Sequence, residues 1–84
     1  HPALAGRVLP GWDFVNNDND AMDDNGHGTH VAGIIASSNT QYGGIASQAN
    51  IIPLKVLGAN GSGSFSGVEA ALQWVAANQQ RLNI

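Results

Sequence analysis

Between Asn50 and Gly58 the chain runs Ile51-Ile52-Pro53-Leu54-Lys55-Val56-Leu57, apolar at every position except Lys55 and without polar alternation. A short run of this kind reads as a strand covered on both faces, the pattern of a parallel sheet. Pro53 has no backbone N–H to give to a neighbour, so it belongs at the start or the edge of that strand.

The flanking segments supply the other elements. Arg7 to Val15 mixes Val, Leu, Trp and Phe around a Pro10-Gly11 interruption, which predicts a bent strand or two short ones. Asn16 to Gly26 is a polar, acid-rich loop. His27 to Ser37 carries Val31, Ile34 and Ile35 at helical spacing, with Asp23, Asp24 and Asn25 upstream as caps whose charge suits a helix N-terminus. Gly58 to Ser64 is expected to be flexible. Ser66-Gly67-Val68-Glu69 then predicts a capping box opening a helix that runs to about Gln80. Val68, Ala71, Leu72, Val75 and Ala76 form its apolar stripe, with Trp74 on the flank. The order strand, loop, helix, strand, Gly-rich loop, helix is the rhythm of an α/β domain with parallel strands.

A chain of 84 residues holds one domain at most, and two strands with two helices leave open sheet edges and at least one bare helix face. Only 11% of the residues are charged while 43% are hydrophobic, so self-association or pairing with further chain is expected to cover those faces. The start at His1-Pro2, without Met, fits a processed or excised segment. No Cys is present, which excludes a disulfide framework and a thiolate metal site. No apolar run approaches the length of a membrane span, and no leader of signal-peptide type is visible. The basic side chains Arg7, Lys55 and Arg81 are scattered, so a nucleic-acid surface is not expected.

The densest chemical signal is Asp23-Asp24-Asn25-Gly26-His27-Gly28-Thr29-His30-Val31-Ala32-Gly33. Its imidazoles stand at i, i+3 and so share one helix face. Gly26 and Gly28 clear space around His27, and access is what a general base requires. His30, one turn into the helix and followed by Val31-Ala32, reads as a buried, hydrogen-bonded structural histidine. A zinc site has little support, since there is no third His nearby and no His-Glu-x-x-His pattern. The Gly61-x-Gly63-x-x-x-Gly67 spacing is one residue too long for a dinucleotide-binding turn, and no P-loop lysine follows, so no organic cofactor is expected.

Five of the six acids lie between Asp13 and Asp24. Asp13, Asn16, Asp18 and Asp20 offer oxygen ligands at short spacing, as a hard cation requires, and the same residues also suit a plain solvated loop. It is not an EF-hand, because Ala21 stands where the turn glycine belongs and His27 where the bidentate Glu belongs.

Gly26-His27-Gly28-Thr29-His30-Val31-Ala32-Gly33 resembles the histidine motif of the subtilisin-like serine proteases, the subtilases. The resemblance extends through His1-Pro2-Ala3-Leu4, Gly11-Trp12-Asp13-Phe14-Val15 and Gly44-Ile45-Ala46 to Leu54-Lys55-Val56-Leu57 and Gly58 to Gly63. It implies an α/β fold, here a partial three-layer parallel sheet, with residues 1–84 as an incomplete piece of the catalytic domain. It also implies that His27 is the catalytic base of a Ser-His-Asp endopeptidase and that His30 is structural. Gly61, Ser62 and Gly63 match the family's substrate edge, where backbone pairs with a peptide, and Phe65 with Val68 would line an apolar subsite. In thermitase-like members the positions matching Asp13, Asn16, Asp18 and Asp20 hold Ca²⁺. Ala3 stands where relatives often carry Asp, a departure that bears on a second calcium site.

The family's Asp precedes the matched region and its Ser follows it, so residues 1–84 alone are expected to be inactive. The substrate of the parent would be a peptide or protein, and its setting extracellular. The competing expectation is a non-catalytic α/β module, stable through self-association.

Overall fold

The computed structural model describes all 84 residues. After a 3-10 turn over Pro2–Leu4 come β1 (Trp12–Asp13), α1 (His27–Ala36), β2 (Leu54–Lys55) and α2 (Phe65–Leu82). β1 and β2 pair in parallel, Trp12 opposite Leu54 and Asp13 opposite Lys55, with α1 in the connection between them. A further parallel bridge joins Val8 to Ile51, so Arg7 to Val15 forms two short extended pieces, one of the expected forms. The break falls at Pro10-Gly11. A side chain on Gly11 would run into the carbonyl of Pro53, so the close approach of the two chains there requires glycine.

Pro53 lies just before β2 and pairs only through its carbonyl, which accepts from Trp12 N–H at 3.1 Å. The ladder therefore asks no donor of the proline. Arg7 reinforces this end: its guanidinium donates to the carbonyls of Ala3 and Ala49 at 2.8 and 2.9 Å.

α1 has the expected extent. α2 starts earlier and ends later than the sequence suggests. Its cap is Ser64, whose side chain accepts from Gly67 N–H at 3.0 Å, rather than Ser66 within a Ser66–Glu69 box. Ser64 has the extended backbone (φ −101°, ψ 152°) that a cap needs, whereas Ser66 is already helical. The helix closes at Asn83 in the left-handed conformation, whose N–H returns to the carbonyls of Gln79 and Gln80.

The core is small. Leu4, Ala36 and Ala71 are the buried apolar residues, whereas Ile34 is 61% exposed and Leu72 is 66% exposed. The strand expected to be covered on both faces is half-buried along Ile51 to Leu57. Of the expected α2 stripe only Ala71 is buried, with Val75 and the flanking Trp74 half-buried. The physical reason is shared: two strands and two helices do not supply a second layer for either face. No helix is long and apolar enough to cross a membrane.

Candidate active site

The start of α1 is organised by a carboxylate from outside the helix. Asp23 Oδ1 accepts from the N–H groups of Asn25 and Gly26 at 3.0 and 2.9 Å. Its Oδ2 accepts from Thr29 N–H at 2.9 Å and from the Thr29 hydroxyl at 2.5 Å. Thr29 N–H is one of the donors a helix leaves without an internal partner, so Asp23 caps α1 although Gly26 occupies the cap position with φ 107°. The Gly26 N–H foremost, then the Thr29 hydroxyl and the remaining amides, hold the Asp23 carboxyl well below the ordinary carboxylate range.

His27 is the first residue of α1, and it is exposed. Its backbone N–H donates to Asn25 Oδ1 at 3.2 Å, while its ring has no hydrogen bond with any other residue. The backbone is held and the imidazole left free, the condition a proton acceptor for an incoming group requires. His30 departs from expectation: it is exposed, and its ring also lacks a hydrogen bond.

Gly58 to Ser64 forms a hydrogen-bonded turn. Gly58 N–H donates to Ser62 C=O at 2.8 Å and Gly61 N–H to Gly58 C=O at 2.9 Å. Gly63 passes so close to the carbonyl of Val56 that a side chain would collide with it. Gly61, Ser62, Gly63 and Phe65 are all exposed. The carbonyls of Gly61 and Gly63 and the N–H of Gly63 take no part in backbone hydrogen bonds of the chain. The turn approaches His27 through Asn25, whose Nδ2 donates to Ala59 C=O at 2.9 Å. Phe65, 96% exposed, stands beyond the turn at the start of α2.

The acidic loop folds back on itself: Asp13 and Asp18 exchange backbone hydrogen bonds at 2.9 and 3.2 Å, and the Asn16 amide lies against the Asp13 carboxylate. Asp13 is buried, its Oδ1 accepting from Val15 and Asn16 N–H at 2.8 and 3.0 Å and its Oδ2 from Asn16 Nδ2 at 3.1 Å. Burial alone would raise its pKa, but these donors and the Lys55 charge outweigh it and hold the carboxyl below the usual range. Asp18 and Asp20 are exposed and accept from the backbone of their own loop. No three acidic or imidazole side chains converge on a point where an ion would sit. The Asp13 oxygens are already engaged by Val15 and Asn16, so Ca²⁺ held by Asp13, Asn16, Asp18 and Asp20 would have to displace those donors.

Lys55 gathers the acids instead. Its Nζ lies 2.9 Å from Asp24 and 3.9 Å from Asp13, and donates to Met22 C=O at 3.0 Å. The hydrogen bond to Asp24, opposed by partial burial and aided by the acidic neighbours, raises the Lys55 pKa. Two roles were not evident from sequence reading: Lys55 as the anchor of the acidic loop, and Asn25 as a link to the 58–64 turn. A single charge inside an otherwise apolar strand was a legible signal for the first. Nothing local marks the second.

The family model described as the Subtilase family matches residues 1–84. The chain is 53% identical over 78 residues to alkaline serine exoprotease A of Vibrio alginolyticus, covering 93% of this chain and 14% of that protein. It is 44% identical over 79 residues to thermitase of Thermoactinomyces vulgaris, covering 90% of this chain and 28% of that protein. A crystal structure of a cold-adapted subtilisin-like serine proteinase superposes with a TM-score of 0.85 at 51% identity, over 93% of this chain and 28% of that one. The chain thus spans between 14% and 28% of the length of these relatives.

Proposed function

The chain belongs to the subtilase family, and we propose that it contributes the catalytic base and part of the peptide-binding edge of a serine endopeptidase. The observation that carries this reading is His27, exposed with an unengaged ring at the first position of α1 within the family motif. In a Ser-His-Asp mechanism the ring takes the proton of the nucleophilic hydroxyl, then delivers it to the leaving amine, while a carboxylate fixes its tautomer. His27 meets no carboxylate and no hydroxyl of residues 1–84, so the two other members come from outside them, and these residues alone do not hydrolyse peptides.

The substrate is a peptide or protein segment in extended form. The free carbonyls of Gly61 and Gly63 and the free N–H of Gly63 suit pairing with its backbone, and Phe65 offers an apolar surface to a side chain. The Vibrio relative is named an exoprotease, which supports an extracellular setting. The uncovered faces of α1 and α2 and the unpaired edge of β2 are covered by the remainder of a domain of the relatives' size.

The test is hydrolysis of a chromogenic peptide by the complete protein that carries this segment. His27→Ala is expected to lower kcat by at least about a hundredfold, the low end of what a general base contributes. Unchanged turnover refutes the role. The exposed Ile34 and Leu72 also favour a second reading, in which residues 1–84 in isolation associate with their own kind. A folded monomer in light scattering would exclude it.

A further inference from the structure

We propose that Asn25 is a positioning residue, a strut that sets the substrate edge at a fixed distance from the catalytic base. This rests on the endopeptidase reading above and goes beyond it by assigning what aligns the two halves of the site. The Asn25 amide bonds at both ends: Oδ1 accepts from His27 N–H at 3.2 Å, and Nδ2 donates to Ala59 C=O at 2.9 Å. Reversing the amide would set its NH₂ against an N–H and its oxygen against a carbonyl, so one orientation alone satisfies both.

Ala59 lies inside the turn closed by the Gly58–Ser62 and Gly61–Gly58 hydrogen bonds. That turn presents the free carbonyls of Gly61 and Gly63. The Asn25–Ala59 bond is the one hydrogen bond between residues 23–36 and residues 57–64, across 34 positions of sequence. A planar side chain with two torsions therefore transmits the placement of the helix start to the placement of the edge. Misplacement of reacting groups by about 1 Å can cost on the order of a hundredfold in rate, so such a link has a kinetic consequence.

The two bonds can be separated. Asn25→Asp keeps an acceptor for His27 N–H but faces Ala59 C=O with a carboxylate oxygen, whereas Asn25→Ala removes both ends. Asn25 is exposed, so neither change disturbs packing. In the complete protein, amide exchange at Gly58 and Gly61 is expected to rise roughly fivefold in both variants, the worth of one ordinary hydrogen bond, and at His27 only in Asn25→Ala. Kinetically, the loss of kcat/KM for a tetrapeptide amide is expected to exceed that for a single-residue ester by about tenfold, because only the longer substrate reaches the edge.

Equal losses for the two substrates would reduce Asn25 to a general structural residue and overturn the proposal. Unchanged exchange at Gly58 and Gly61 would overturn it as well. If the wild-type protein cleaves neither substrate and resists a serine-directed phosphonate, the endopeptidase reading fails, and the exchange pattern alone then decides whether the strut exists.

Discussion

Replacement of Asp23 tests the organisation of the His27 helix most directly. Its carboxylate accepts from three backbone N–H groups and one hydroxyl at 2.5–3.0 Å. Asp23→Ala leaves all four donors to water. Loss of a helix cap costs about 1 kcal/mol, and a hydrogen bond to a charged acceptor is worth about 1.5–3 kcal/mol before water replaces it. Because Asp23 is only half-buried, about 2 kcal/mol for the site is a reasonable sum, equivalent to roughly thirtyfold faster exchange at Thr29 N–H. Asp23→Asn keeps one oxygen for Asn25 and Gly26 but turns an NH₂ toward Thr29 N–H, so about half of that loss is expected.

The pH dependence has a definite sign. The folded-state pKa of Asp23 lies below that of the unfolded chain, so its contribution is complete above about pH 4 and fades as pH falls through the folded value. Hydrogen exchange and denaturant unfolding of the complete protein between about pH 2 and pH 5 measure this. Asp23→Asn is expected to flatten the acid limb of the stability curve. An acid limb identical to that of the wild type, together with unchanged exchange at Thr29, would refute the capping account.

Two further outcomes follow from the geometry. Ser64→Ala is expected to cost about 1 kcal/mol in thermal unfolding, and Ser66→Ala less than about half of that, because Ser64 accepts from Gly67 N–H; the reverse order would restore the Ser66 box. Titration with Ca²⁺ is expected to leave the unfolding midpoint in place, since the Asp13 oxygens are already engaged. A saturable rise would show that the 13–20 loop rearranges to bind the ion.

Much of the site was legible because its signals are local. The glycine-flanked His27 and the acids ahead of α1 depend on neighbours in sequence, and Asp23 does cap the helix that His27 opens, whereas an edge at Gly61 to Gly63 was implied only by the resemblance to the family. The polar 13–20 segment shows the limit. Its oxygen spacing suits a cation, yet Asp13 is drawn inward by Val15, Asn16 and Lys55, and spacing cannot report which way a side chain turns. His30 illustrates the converse. Its surroundings read as buried, but burial belongs to whatever covers a helix face, and within these residues His30 is exposed.

From residue order alone came the alternation of strand and helix and the parallel pairing implied by an unalternating apolar run. These depend on backbone propensity and side-chain periodicity, which act over a few residues. Chain closure decided the rest: that Ser64 rather than Ser66 caps α2, that Lys55 meets Asp24, and that Asn25 reaches Ala59. A hydrogen bond is satisfied within about 3 Å of a partner, and which partners come that close across some thirty positions is settled only when the parallel strands pair and fix the loops at their ends.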